Sequence, residues 1–222
     1  MIKELTAQNP SIYFFDHPKH ERRGEPYRHT ALTLARGDIV CYLCDRDLWM
    51  PDHVSRMASL LEDAEFAHSL ALHVMPSRAI KYFGGDIALP EYRWLILNKK
   101  NFIPLSCAAH RLDFYQTLAE GWTTTPDGKP TDWHMFQKFL RRADCRAVSG
   151  TRPTALTFPS SPRQTYTEQQ RVSELKQWLG EIDTPNKQLD ITTRLLEGAI
   201  RARDYSGALT LRAQIKRISV TS

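Results

Sequence analysis

The segment that most constrains the fold is an apolar run at 38–43, Asp-Ile-Val-Cys-Tyr-Leu, followed at once by the polar residues Cys-Asp-Arg-Asp at 44–47. The run is apolar on both of its alternating faces, which is typical of a strand covered on both sides in a parallel sheet between helices. Pro51 and apolar residues at helical spacing over 54–61 predict that a helix follows. We therefore expect an α/β domain in which two acids lie at the carboxyl edge of a buried strand.

Similar patterns divide the rest of the chain into further elements. Strands are predicted at 11–15, 66–74, 80–83 and 102–108, and helices at 27–36, at 112–119 and from Asp132 onward. A Pro/Ser/Thr-rich stretch at 151–162 is typical of a linker, and apolar stripes beyond it predict helical segments near 172–179, 195–200 and 209–215. We expect two parts, an α/β domain over 1–160 and a helical extension over 161–222.

The charge of the chain is basic but evenly distributed. Its 222 residues include 30 Lys and Arg against 25 Asp and Glu, a formal net charge of +5. Residues 1–163 hold 21 basic and 18 acidic residues, and residues 164–222 hold 9 and 7. Proteins that bind the phosphate backbone of nucleic acids concentrate their positive charge in a patch or arm. We therefore expect no nucleic-acid partner.

Several classes of protein are disfavoured by missing sequence features. No apolar run approaches the roughly 20 residues that cross a bilayer, and the first ten residues lack the apolar centre of a secretory signal. We expect no transmembrane segment and a cytoplasmic location. The single CxxC at 41–44 has no second cysteine pair to complete a zinc site, and no GxSxG, HExxH, P-loop or GxGxxG motif is present.

Asp45 and Asp47 are the acids that most directly suggest chemistry. Open α/β sheets bind their ligands at the carboxyl edge, where these two residues are expected. In an extended segment, residues two apart project to the same side, so two carboxylates could share a divalent cation that itself binds a diphosphate. The alternative is an ordinary turn, in which Asp is common and Arg46 partly neutralises the pair.

Asp132 is the second candidate, because it follows a Gly/Pro-rich loop and begins an aromatic-rich helix. In that position it could accept a proton from a substrate hydroxyl. Asp is also a favoured helix N-cap, and from the spacing alone the cap is the favoured interpretation.

Two stretches carry a resemblance to a known family. Residues 35–53, Ala-Arg-Gly-Asp-Ile through Trp-Met-Pro-Asp-His, are similar to the segment around the metal-binding acids of family 2 glycosyltransferases with the GT-A fold. Residues 105–139 resemble that family's acceptor segment: a strand ending in a polar pair (here His110-Arg111), a helix and Gly turn, and an acid that opens an aromatic helix. The resemblance covers about residues 10–160. It implies a GT-A-like, mostly parallel sheet flanked by helices.

The resemblance also implies roles for particular residues. Asp45 and Asp47 match the acids that hold a divalent Mn or Mg ion and the diphosphate of the sugar nucleotide, with Arg46 between them in the donor site. Asp132 matches the acid that serves as general base in inverting members. The implied reaction transfers a sugar from a nucleoside-diphosphate sugar to an acceptor hydroxyl, with inversion at the anomeric carbon.

The sequence departs from the family pattern in three ways. Cys44 and Arg46 stand where the family usually has further acids, so either metal affinity is weakened or Arg46 contacts the diphosphate directly. His29 and Ala31 replace a common Asn and Gly. The family's opening strand–helix–strand, which contacts the nucleotide base, is absent, so the sequence resembles the carboxyl-terminal two-thirds of such an enzyme.

The missing opening portion leaves a second function open. Without it, one sheet edge would be exposed, and we expect a second copy of the chain or a separate partner chain to cover that edge. The alternative to a transferase is therefore a non-catalytic, degenerate glycosyltransferase-like interaction protein or gene fragment.

Overall fold

The fold was obtained as a computed structural model, which describes residues 2–193. The helices are α1 (Ile2–Gln8), α2 (Glu25–Leu34), α3 (His53–Leu60), α4 (Pro90–Asn98), α5 (Leu112–Gln116), α6 (Thr131–Leu140) and α7 (Glu168–Ile182). The strands are β1 (Ile39–Cys41), β2 (Leu48–Trp49), β3 (Phe66–Val74), β4 (Ile80–Phe83), β5 (Ala108–Arg111) and β6 (Ala147–Thr157). Short 3₁₀ turns lie at Leu105–Cys107 and Ser161–Arg163.

These strands form one mixed sheet flanked by helices. Their order is β1-β5-β3-β6-β2, and β4 pairs with the carboxyl half of β3. The pair β3–β6 is parallel, while β1–β5, β5–β3, β3–β4 and β6–β2 are antiparallel. The α/β class is therefore confirmed, but the expected mostly parallel sheet is wrong.

The apolar run at 38–43 is also not the buried central strand that its pattern predicts. It forms only the short β1, which lies at one end of the sheet order and pairs with β5. Within β1, Val40 is buried, while Ile39 and Cys41 are half-buried. The strand that is buried along nearly its whole length is β3, between β5 and β6.

Three other predictions are wrong in instructive places. Residues 11–15 form no strand, and the stretch predicted as a linker is largely β6. Pro153 argues against a strand here, because proline donates no ladder hydrogen bond. Pro153 lies opposite Leu70, where the pairing register shifts at a bulge, and a bulge tolerates proline.

The strand predicted at 102–108 is also mostly absent. Residues 102–107 form a loop and a 3₁₀ turn, so β5 begins only at Ala108. The helices predicted near 27–36, 54–61, 112–119 and after Asp132 are confirmed with shifted ends.

Two groups of buried residues join the helices to the sheet. In the first, Phe66 of β3 contacts Phe136 and Phe139 of α6, with ring centroids 5.2 and 5.4 Å apart. In the second, Trp178 and Ile182 of α7 pack with residues of β3 and β6. The beginning of the predicted helical extension is thus part of the core around the sheet. The helical segments predicted at 195–200 and 209–215 lie outside the described residues.

The segment 42–47 connects the end of β1 to the start of β2, and it lies beside the start of α6. Within residues 2–193, we find no helix with the length and apolar character required to cross a membrane.

Candidate functional site

A cleft opens where the segment 42–47 meets the first turn of α6. Its volume is about 1010 Å³. The lining residues come mainly from three segments, 21–28, 42–46 and 129–132. A smaller pocket of about 280 Å³ adjoins it and shares Arg46 and Asp132 with it. The structure thus brings Asp45, Arg46 and Asp132 to one cleft, with Asp47 in the adjoining pocket.

Asp47 is buried and hydrogen-bonded on both carboxylate oxygens. Its Oδ2 accepts from Ser106 Oγ at 2.5 Å, and its Oδ1 accepts from the backbone N–H of Phe158 at 3.0 Å. Ser106 Oγ itself accepts from the N–H of Cys44 at 3.0 Å. Burial raises the pKa of the Asp47 carboxyl, and the hydrogen bonds from Ser106 and Phe158 oppose that rise. Asp47 therefore ties the 44–47 segment to the turn before β5 and to the end of β6.

Asp45 lies in a contrasting environment. Its side chain is 92% exposed, and its Oδ1 is 3.8 Å from Nη1 of Arg46. An exposed ion pair of that length contributes little free energy. Asp45 lines the large cleft and Asp47 the smaller pocket, and Cys44, Arg46, Leu105 and Asp132 line both.

This arrangement can be tested against the divalent ion that the sequence predicts. A shared ion needs carboxylate oxygens that converge. Each carboxylate oxygen of Asp47 already accepts one hydrogen bond from the protein, and the side chain of Asp45 is almost fully exposed. Across residues 2–193, no group of three or more His, Cys, Asp and Glu is placed to hold a metal. These contacts do not favour a shared metal ion on Asp45 and Asp47, and the ion stays a prediction from the sequence.

Asp132 lies in the first turn of α6, but not at its cap. The N-cap residue is Pro130, and the Oδ1 of Asp132 accepts from the backbone N–H of Trp133 at 2.8 Å. Burial raises the pKa of the Asp132 carboxyl, opposed by hydrogen bonds that include those from Trp133 and Asn101, and by the charge of Arg28. A half-buried carboxylate that lines both pockets is well placed to accept a proton from a bound molecule.

Four cations that the sequence prediction did not single out line the same cleft: Arg22, Arg23, Arg28 and Lys129. Arg22 and Arg23 are adjacent in the sequence, but a comparison of charge over the long segments 1–163 and 164–222 does not reveal a local positive cluster. Only the fold brings the 21–28 segment beside residues 129–132.

Hydrogen bonds to Glu25 and an ion pair of Arg22 connect the segment that carries the arginines to the neighbouring loop. Buried Glu25 accepts from the backbone N–H of Arg23 at 3.0 Å and from that of Thr125 at 3.4 Å. Arg22 forms an ion pair with Asp127. The segment that carries the arginines is therefore fastened to the loop that leads to Lys129.

A buried hydrogen-bonded chain supports the wall of the cleft at Tyr42. Trp122 Nε1–H donates to Tyr42 Oη at 2.9 Å, and Tyr42 Oη lies 2.7 Å from Nε2 of His110. The other ring nitrogen of His110 is 2.9 Å from the carbonyl oxygen of Arg111, which assigns the proton to Nδ1. Burial lowers the pKa of His110 to about 4. The ring is therefore neutral at neutral pH, and its Nε2 accepts a hydrogen bond from the Tyr42 hydroxyl.

The cleft thus combines one half-buried carboxylate, several cations and a wall at Tyr42 that is held by internal hydrogen bonds. No protein-family model matches the chain, and no curated protein shows significant sequence similarity to it.

Proposed function

We propose that the cleft binds a nucleoside-diphosphate sugar and that the protein transfers its sugar to an acceptor hydroxyl. The observation that carries this proposal is the position of Asp132, whose carboxyl has a raised pKa, at the same cleft as Arg46 and Asp45. Such a cleft offers a base for the acceptor and positive charge for the phosphates. The resemblance of residues 35–53 and 105–139 to family 2 glycosyltransferases supports the same function.

In the proposed reaction, Asp132 removes the proton from the acceptor hydroxyl as that oxygen attacks the anomeric carbon. The bond between this carbon and the diphosphate oxygen breaks, and the electron pair leaves with the nucleoside diphosphate. Attack from the face opposite the leaving group inverts the configuration. The Arg46 guanidinium stabilises the negative charge that develops on the diphosphate. We assign no step to a metal ion, and Mn²⁺ or Mg²⁺ dependence stays a prediction from the sequence.

The proposal is tested by incubating the full chain with a panel of sugar nucleotides and hydroxyl acceptors, and measuring release of the nucleoside diphosphate. We expect release from at least one donor, with inverted anomeric configuration in the product by NMR. Asp132→Asn should slow the release by about 100-fold or more, whereas His134→Asn, next to the cleft on α6 but outside its lining, should retain it. The same assay with a chelator tests the metal prediction. No release from any donor would contradict the proposal.

A second candidate, a non-catalytic interaction protein, is favoured by a different observation. The large apolar side chains of Ile12, Tyr13, Phe14 and Phe15 are 38–74% exposed. In addition, β1 pairs with β5 on one edge and has no second neighbour among the described strands. The two candidates are separated by complementing cells that lack the gene with an Asp45→Ala, Asp132→Asn double variant. Full complementation favours the interaction protein, and its loss favours the transferase.

A further inference from the structure

The charge of the large cleft is unbalanced toward the positive. Its lining includes five cations, Arg22, Arg23, Arg28, Arg46 and Lys129, and three acids, Glu21, Asp45 and Asp132. Clefts of one sign concentrate ligands of the opposite sign, because their walls focus the field. This surplus is local, since the same charges are diluted when they are counted along the chain.

Arg28 carries the most specific signal in this cleft. Its guanidinium stacks over the ring of Trp122, with the Cζ atom 5.0 Å from the ring centroid. Its Nη1 is buried and, among the described residues, has no hydrogen-bond partner. A buried donor without an acceptor costs free energy. Because Arg28 also lines the cleft, a shift of its side chain toward a bound anion would remove that cost.

The other cations differ in how far they are already neutralised. Arg22 is paired with Asp127, outside the cleft lining, so it contributes less charge to a ligand. Arg46 is 42% exposed at the side chain and only loosely paired, at 3.8 Å, with Asp45. Lys129 lines the cleft from the segment that leads into α6, three residues before Asp132. Arg28, Arg46 and Lys129 therefore present positive charge from three separate chain segments.

A group with several negative oxygens matches this arrangement better than a single carboxylate does. Guanidinium groups bind phosphate oxygens in a fixed fork geometry, and a diphosphate offers oxygens on two linked phosphorus atoms. A volume of about 1010 Å³ leaves room for a further group attached to the diphosphate. A single cleft of this kind is unlike the extended stripe of positive charge that nucleic acids require.

We propose that this cleft binds a diphosphate group directly through Arg28, Arg46 and Lys129, without a divalent metal ion. The inference deepens the proposed function, on which it rests for the identity of the natural ligand. In this proposal, three cations neutralise the charge of the diphosphate, a role that the sequence analysis assigned to a metal ion on Asp45 and Asp47.

The test is calorimetric titration of the full chain with inorganic pyrophosphate, in the presence of a chelator and again with Mn²⁺. We expect binding with the chelator present. Arg46→Gln and Lys129→Gln should each weaken it by about tenfold, the loss of one charge-assisted hydrogen bond. Arg28→Gln should weaken it at least as much, with circular dichroism showing that the variant is folded. Arg152→Gln, an exposed arginine of a different pocket, is the matched control and should bind as the wild type does.

The inference would be overturned by no binding of pyrophosphate, by binding only when Mn²⁺ is added, or by equal binding of the wild type and the Arg46 and Lys129 variants. Inorganic phosphate and a nucleoside diphosphate form further arms. Binding of phosphate as tight as that of pyrophosphate would contradict a diphosphate site. Binding of pyrophosphate without sugar transfer in the assay above would retain the inference and reject the transferase. Binding and sugar transfer that both strictly require Mn²⁺ would support the transferase and reject the inference.

Discussion

At the scale of single residues, the two acids of the 44–47 segment differ because one is buried and the other is exposed. Asp47 satisfies a hydroxyl and a backbone N–H inside the protein, whereas Asp45 extends into the solvent. The alternation rule that predicts a shared side for both acids applies only to an extended chain. Here β1 ends at Cys41 and a turn at 45–46 precedes β2, so the rule fails locally.

This difference predicts unequal effects on stability. Asp47→Ala leaves the N–H of Phe158 and the hydroxyl of Ser106 without their acceptor, so the free energy of unfolding should fall by about 2–4 kcal/mol. Asp45→Ala removes an exposed side chain and should change it by less than about 0.5 kcal/mol. Urea unfolding monitored by fluorescence measures both. Equal effects would mean that the hydrogen bonds of Asp47 do not support the fold.

The buried His110 predicts how stability depends on pH. Its pKa is lowered from an ordinary value near 6.5 to about 4 in the folded protein. Between pH 4 and pH 6.5, this histidine is therefore more often protonated in the unfolded chain than in the folded one. Its contribution is complete above pH 6.5 and is lost as the pH falls toward 4, amounting to about 3 kcal/mol over that interval.

The measurement is the free energy of urea unfolding between pH 7 and pH 5. His110→Asn has no ring to protonate and should therefore show a shallower decline than the wild type does. A wild-type stability that stays constant over this range, or an equal decline in the variant, would contradict the assignment.

At the scale of elements, the sequence pattern predicts β3 and β4 with their observed bounds, because both segments are rich in residues that favour strands. The pattern misses β6, because Pro153 and the small polar residues around it indicate a loop. The bulge opposite Leu70 is what allows Pro153 to lie within this strand. The pattern also predicts a strand at 11–15 that does not form. Strand pairing depends on partners distant in sequence, and local patterns contain no record of them.

The packing of α7 provides an element-scale prediction. Trp178 is buried against Phe158 and lies under the guanidinium of Arg78, with its Cζ 4.8 Å from the ring centroid. Trp178→Ala should lower the free energy of unfolding by about 3–5 kcal/mol, whereas Leu179→Ala, at an exposed neighbouring position, should change it by less than about 0.5 kcal/mol. Chemical unfolding of both variants checks this. Equal stability of the two would mean that α7 folds independently of the sheet.

At the scale of the whole molecule, the cleft is assembled from segments that are remote in sequence. Asp45, Arg46 and Asp132 were identifiable individually, and the structure brings them to one cleft. The arginines of the 21–28 segment could not be identified as cleft residues from the sequence. Their position at the cleft depends on the contacts of Glu25 and Arg22 with the 125–127 loop. The chemistry of the site therefore follows from tertiary structure more than from any one motif.

The most direct measurement of the proposed function is the pH dependence of kcat for sugar transfer by the wild type and by Asp132→Asn. Since the pKa of Asp132 is raised, wild-type kcat should fall on acidification at a higher pH than an ordinary carboxyl would give. The variant should lose about 100-fold or more in kcat, with little change in the KM for the sugar nucleotide. A variant with wild-type kcat and an unchanged pH profile would contradict the assignment of Asp132 as the base.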